Sequence, residues 1–562
     1  MTAAGRFRKG ELRHDREQSG MEVKKTRKIV FAAVTGIITG FQYAAGSRLD
    51  RQDTLDLRDA SFYLSWLVIS VAAASIVYVI WWFANKLWTD RMTSGRKEEN
   101  RSHGGVEFTP LFLHLFYTGV LLLCWLPALL SIVPGVFSYD AYAEWEQVKT
   151  GLITSHHPVL HVLLVGGLLE GFHRLTGSYN VGICVYSLLQ MFLVANVLAF
   201  TVTFMKKRGI GRGGRLLSLF FYGLSPVLAL FSICTTKDVL FAACQLLLML
   251  FVLRLTGEQE RFFTERKAQA GFVLAALGTM ILRNNGLYIA LVMLAVLFFF
   301  CRRYWRRYVL LTAVTLLLYG VYAGPLYAAL SVTPGGIEEM LSVPIQQLAR
   351  VYHYEYDSLD AGDLELLYRV LPRENLEAYK PTVADPVKSG FDREGFAANR
   401  REFFELWMRW GLEHPLTYIN SFLVTTVDFW YPGAVMDGYK DPYGRSSYFD
   451  YRVAEPGQEV VLLKGLHEFY EKLSWDKAAQ QKPLAFLALS PGWYFLLFLV
   501  AFMYFWCYKK RKLMLPGLVP LLTMATVLLG PMALVRYVLI FFYGFPLIAA
   551  MFLKPEAFLA KE

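Results

Sequence analysis

Apolar and polar positions along this chain come in long blocks, not at the spacing of a soluble amphipathic helix or strand. Apolar runs occupy roughly residues 29–46, 61–84, 111–133, 181–204, 216–232, 238–256, 271–283, 286–301, 308–330, 485–508, 513–530 and 534–553. A helix needs about 20 mostly apolar residues to cross a bilayer. The pattern therefore predicts an all-α polytopic membrane protein with about 12 transmembrane helices, the runs at 271–283 and 286–301 being the shortest. Val159–Leu175 is also apolar, but it carries His161, Glu170, His173 and Arg174. It reads as a helix lying along the membrane surface.

Basic residues predict the orientation, because Lys and Arg stay on the cytoplasmic side of short loops. They cluster in the N-terminal segment, at Lys86/Arg91/Arg96/Lys97, at Lys206-Lys207-Arg208 with Arg212 and Arg215, at Arg254/Arg261/Arg266/Lys267, at Arg302-Arg303/Arg306-Arg307 and at Lys509-Lys510-Arg511-Lys512. With the N-terminus inside and Val159–Leu175 on the surface, every cluster falls on the inner side. The expected organisation is a cytoplasmic basic N-terminus (1–28) and a transmembrane module (29–330) with its first large outer loop at 134–180. An extracytoplasmic domain (331–485) and C-terminal transmembrane helices (486–562) follow, both chain ends being cytoplasmic. The run from about Ile29 lacks a small-residue cleavage site and reads as a first anchor, not a removable signal peptide.

Composition agrees. Hydrophobic residues make up 55% of the 562 and charged residues only 18%, against about 25% in soluble domains. The net charge of +11 is unevenly spread: Ser331–Ala485 holds 16 basic and 24 acidic residues, leaving 41 basic and 22 acidic for the rest. Nucleic-acid binding calls for a basic domain, and the sizeable polar domain here is acidic, so nucleic acid is not an expected partner. The six cysteines (Cys124, Cys184, Cys234, Cys244, Cys301, Cys507) lie in or beside apolar runs and read as small core residues.

The candidate chemistry gathers at the outer ends of the spans. Phe137-Ser138-Tyr139-Asp140-Ala141-Tyr142-Ala143-Glu144-Trp145-Glu146 stands directly behind the run 111–133 and the helix-breaking Val133-Pro134-Gly135. Asp140 and Glu144 are four apart and share a helix face, whereas Glu146 points elsewhere. Such a pair can supply a general base and a metal or acceptor contact; it can also be ordinary acidic marking of an outer loop. In His156-His157-Pro158 with His161, His157 and His161 have metal-ligand spacing, and they equally suit a loop that starts a surface helix at Pro158. Lys237-Asp238, Arg283-Asn284-Asn285-Gly286 and Arg536-Tyr537 place ionisable groups near span ends, where charge is costly and marks functional candidates. Three cations aimed at one cavity suit a phosphate; singly, each reads as a snorkelling or ion-paired residue. In the outer domain, Gln346-Gln347, His414-Pro415-Leu416-Thr417-Tyr418 and Asp428-Phe429-Trp430-Tyr431-Pro432 offer aromatic and amide groups suited to sugars, or to a plain aromatic core.

Together, Phe137-Ser138-Tyr139-Asp140, Ser155-His156-His157-Pro158, Thr236-Lys237-Asp238, Arg283-Asn284-Asn285-Gly286 and Pro344-Ile345-Gln346-Gln347, set in this run of spans, resemble a bacterial branch of the type C (GT-C) glycosyltransferases. That superfamily of integral membrane enzymes includes the protein O-mannosyltransferases and aminoarabinose transferase. The likeness covers nearly the whole chain. It implies a bacterial plasma-membrane enzyme that moves a sugar from a polyprenyl-phosphate-linked donor to an acceptor at the outer face. Asp140 matches the first-loop aspartate serving as base, with Glu144 beside it. His156, His157, Lys237, Arg283, Gln346, Gln347, Arg536 and Tyr537 are the expected substrate contacts, and membrane lipids are expected partners. A divalent metal (Mg²⁺ or Mn²⁺) is an open possibility, because relatives with adjacent paired acids contrast with Asp140-Ala141 here. A lipid-linked sugar transporter or flippase, and a non-catalytic envelope assembly protein, are the alternative readings; the first would favour polar residues near mid-membrane.

Overall fold

A computed structural model of the chain describes residues 3–94, 109–434, 439–440, 446–447, 449–480 and 482–559; Arg96 and Lys97 of the second basic cluster lie outside them. It is a helical membrane protein. Among the described residues, eight helices are long and apolar enough to cross a bilayer, or nine if the bent pair Arg212–Leu224 and Pro226–Ser232 is one span. The principal helices are α1 (Ala3–Gln52), α2 (Ala60–Ser94), α3 (Pro110–Ser131), α4 (Ala141–Thr150), α5 (Val159–Thr176), α6 (Tyr179–Lys207), α7 (Arg212–Leu224), α8 (Pro226–Ser232), α9 (Lys237–Gly257), α10 (Arg266–Leu282), α11 (Asn284–Phe300) and α12 (Trp305–Val321). After these come α13 (Ser342–Tyr354), α14 (Arg400–Glu413), α15 (Pro415–Trp430), α16 (Pro491–Cys507), α17 (Arg511–Val527) and α18 (Leu539–Leu553).

Among the described residues the expected 12 spans are thus not confirmed, and the difference lies in length. Helices α10, α11, α16 and α17 have 17 residues each, or about 25 Å at 1.5 Å per residue, short of the ~30 Å hydrocarbon core. Helix α5 moves the other way. Read from sequence as a surface helix, its 18 residues meet the criterion for crossing. Its two ends both meet the first part of α6, where His161 bonds Tyr186 and His173 stacks on Tyr179. Twelve residues of α5 therefore run beside seven of α6, about 18 Å against about 10 Å, so the helices cross obliquely.

The bundle turns apolar side chains outward as well as inward. Leu64, Leu67, Val71, Ile76 and Val79 of α2 are exposed, as a helix facing lipid requires. The α1–α2 hairpin packs closely because Gly36 and Gly40 face Ser70 and Ala74. A Cβ on Gly36 would lie 2.6 Å from that of Ala74, the small-residue contact that lets membrane helices touch.

Polar groups gather at the two ends of the bundle. At one end α6, α9 and α18 finish together, with Arg208 paired to Glu258 at 3.0 Å and Lys554 bonding the Gly209 carbonyl at 2.8 Å. The other end carries three backbone segments in a short ladder: Val136 N–H donates to Ile233 O, Thr235 N–H to Val136 O, and Ala454 N–H to Phe137 O. Above it sits a second, smaller core built from Leu341, Ile345, Leu348, Leu367, Leu371, Phe403, Trp410 and neighbours. Among the described residues of 331–485 this earlier part has a core of its own, while Trp430, Phe449, Tyr451 and Tyr470 pack into the main bundle.

Candidate functional site

The ladder sets the site. By tying residues 136–137 to 233–235 and 452–454 it brings Asp140, at the start of α4, opposite Lys237, at the start of α9. Gly135 makes the approach possible: it has φ +117°, and a Cβ there would lie 2.1 Å from Ser187 Oγ. Tyr139 is held at φ +53°, a left-handed conformation unfavourable for a bulky residue and typical of functional turns. Asp450 anchors it, its N–H donating to Tyr139 Oη at 2.9 Å.

Charges then converge. Lys237 Nζ lies 2.7 Å from Asp140 Oδ2, 3.0 Å from His157 Nδ1 and 3.4 Å from Glu144 Oε1. Arg536 Nη1 donates to Asp140 Oδ2 at 2.9 Å, and its Nε faces Asp238 Oδ2 at 3.6 Å. Arg283 pairs with Asp238. The two guanidinium groups lie over aromatic rings, Arg536 4.5 Å above Tyr139 and Arg283 4.3 Å above Tyr537, contacts that orient a cation without neutralising it. Three carboxylates thus face three permanent cations in one largely buried cluster. Asp140 is its most open acid, with 28% of the side chain exposed against 1% for Glu144.

Glu144 is tied inward. His161 Nδ1 bonds it, His161 Nε2 meets the Tyr186 hydroxyl at 2.7 Å, and that hydroxyl donates to Gln190 Oε1 at 2.9 Å. The Gln190 amide in turn donates to the carbonyl of Cys234 at 2.7 Å. This buried chain locks Glu144 to the strand segment bearing Lys237.

The acids are ionised. Burial works to raise the Asp140 carboxyl, but Arg536 and Lys237 outweigh it and hold it well below the usual range. Burial likewise opposes ionisation of Glu144, yet His161 and Lys237 hold its carboxyl at about 2. Burial and the adjacent Lys237 lower the His157 imidazole to about 4. His157 is therefore neutral and accepts from Lys237 through Nδ1.

Of the residues expected from sequence, Asp140, Glu144, His157, Lys237, Arg283, Arg536 and Tyr537 meet here. His156 stands at the rim, exposed, with its ring against His157 and Nδ1 3.9 Å from Glu339. Gln346 and Gln347 are not brought to the pocket. Gln346 donates to the Lys380 carbonyl at 2.6 Å, and Gln347 accepts from Trp407 at 2.9 Å; both hold the small core together. Trp430 stacks on Phe41 in the bundle, and Tyr418 donates to the Trp407 carbonyl. Sequence reading missed Tyr186, Gln190 and Asp450, which carry no local signal within their segments.

Asp140, Glu144 and His157 each offer a ligand atom, all within 4.8 Å of one another, a donor set of the kind that binds Mg²⁺ or Mn²⁺. Lys237 Nζ already lies among them, so a divalent ion does not fit beside it.

A family model described as a family of unknown function, DUF6020, matches residues 145–558, most of the chain. The chain belongs to the DUF6020 family. The DUF6020 match contains His157, His161, Lys237, Arg283 and Arg536, while Asp140 and Glu144 stand just before its first residue. No curated protein and no solved structure matches.

Proposed function

We propose that this DUF6020 protein is a type C-like membrane glycosyltransferase that moves a sugar from a polyprenyl-phosphate donor to a hydroxyl acceptor at the extracytoplasmic face of a bacterial plasma membrane. The observation that carries this reading is the convergence of an accessible ionised acid, Asp140, with Lys237, Arg283 and Arg536 at one end of an apolar helical bundle. Asp140 takes the acceptor proton as the hydroxyl oxygen bonds the anomeric carbon. The carbon–oxygen bond to phosphate breaks at the same time, its electron pair passing to the leaving phosphate oxygen, so the sugar inverts. The phosphate takes up hydrogen bonds from Arg283 and Arg536, the charge-assisted contacts such a leaving group requires, and the Lys237 ammonium adds its positive charge beside them.

A place for the lipid supports the same reading. An apolar cavity of about 510 Å³ opens between α1, α2, α15, α16 and α17, lined by Phe41, Trp66, Leu423, Trp430, Met524 and Leu528. Helix α17 leads from it to the loop bearing Arg536. The small core grips both catalytic loops: Ala384 N–H donates to Pro531 O at 2.8 Å, and Gly335 N–H to Ser155 Oγ at 3.0 Å. In this reading the small core presents the acceptor.

Membranes containing the wild-type chain, given a panel of radiolabelled polyprenyl-phosphate sugars, should form a covalently labelled acceptor with one donor. Label that crosses the membrane while remaining on its lipid would instead establish transport.

A further inference from the structure

We infer that the ammonium of Lys237 is the resident cation of this site, standing where Asp140, Glu144 and His157 would otherwise hold a divalent ion. The three residues present one donor atom each within 4.8 Å of one another, and Lys237 Nζ reaches all three, at 2.7, 3.4 and 3.0 Å respectively. An ammonium has three N–H donors and no acceptor. Here each proton has one acceptor, the two carboxylates and the unprotonated nitrogen of His157. Metal bonds to such ligands run to about 2.0–2.2 Å, so an ion drawing on these donors would coincide with Nζ and would have to expel the lysine.

Two features hold the lysine in place. Its backbone opens α9 directly after the 233–235 segment that pairs with Val136, which fixes the direction of the side chain. Its neighbour Asp238 is fully buried and tied to Arg283 and Arg536, so the helix start cannot rotate without breaking those pairs. Charge points the same way. Asp140, Glu144 and Asp238 are balanced by Lys237, Arg283 and Arg536, and a further +2 in a pocket this buried would lack a counter-charge. The chain thus supplies covalently what a bound Mg²⁺ or Mn²⁺ would supply. The site works without divalent ions.

The test reads metal binding and needs no sugar transfer, so it stands or falls apart from the proposed function. Mn²⁺ is titrated into the detergent-solubilised full chain and its free fraction followed by electron paramagnetic resonance. Wild type should leave the ion free. Lys237→Ala, with the lysine removed, should take up one equivalent, and Lys237→Ala combined with Asp140→Asn should take up none. Uptake of one equivalent by wild type, lost in Asp140→Asn, overturns the inference, as does a folded Lys237→Ala protein that binds nothing. Should Lys237→Ala fail to fold, the wild-type arm decides alone, together with its thermal midpoint: no shift on adding Mn²⁺ or EDTA supports the inference, and a shift with either overturns it.

Discussion

At the scale of single residues, the pocket is held by pairs that titrate. His157 is pressed from 6.5 to about 4 by burial and Lys237. Its folded value is below its unfolded one, so its neutral form contributes stability in full above pH 6.5, and this contribution is lost as pH falls towards 4. Glu144, lowered from 4.5 to about 2, adds a loss that begins only below pH 4.5. Thermal unfolding in detergent should therefore show the midpoint falling as pH drops from 6.5 to 4.5, and His157→Gln should flatten that slope. An unchanged slope in the variant would remove His157 from the account. Much of this residue-level picture was legible beforehand. The i, i+4 spacing of Asp140 and Glu144 places both against Lys237, and the cost of charge near a membrane singles out Arg283 and Arg536. Gln346 and Gln347 misled because an amide that suits a sugar hydroxyl equally suits a backbone carbonyl. Gln190 and Tyr186 lie inside an apolar run and Asp450 is 310 residues from Asp140 in sequence, so long-range folding alone brings them in.

At the scale of elements, the ladder joining residues 133–137, 233–235 and 452–460 matters more than any helix. No periodicity announces it, because each piece is only a few residues long and pairs across the chain. The helices themselves follow the apolar runs closely. Hydropathy marked the runs of α10 and α11 as the shortest but missed that α16 and α17 also stop at 17 residues; three of these four adjoin the loops carrying Arg283 and Arg536 or the approach to them. Gly135 is the ladder's tightest point. Gly135→Ala should lower the unfolding midpoint by an amount matching roughly 1–3 kcal/mol of overpacking, since the new Cβ meets Ser187 at 2.1 Å. Gly119→Ala on α3, where nothing lies within 4 Å, should leave the midpoint unchanged or raise it. Equal effects from the two variants would mean the ladder tolerates displacement.

At the scale of the whole molecule, the polar ends differ in kind. One gathers Arg208, Arg254 and Lys554; the other gathers the pocket and the acidic small core. The proposed orientation, which follows the bias of basic residues and keeps α5 out of the count of crossings, puts the first in the cytoplasm. Glu402 and Lys267 are both exposed and lie on these opposite sides. In a background lacking the six native cysteines, Glu402→Cys should react with an impermeant maleimide in intact cells, and Lys267→Cys only after permeabilisation. The reverse pattern would put the pocket inside and exclude an extracytoplasmic acceptor.

The proposed transfer has Asp140 as its base. The measurement that tests it most directly is transfer of labelled sugar from the accepted polyprenyl-phosphate donor by membranes with matched amounts of wild type and Asp140→Asn. The asparagine variant should bind donor but lose transfer by at least about 10²-fold, the lower range for general-base removal. Transfer at the wild-type rate would contradict the assignment of Asp140 and, with it, the site described above.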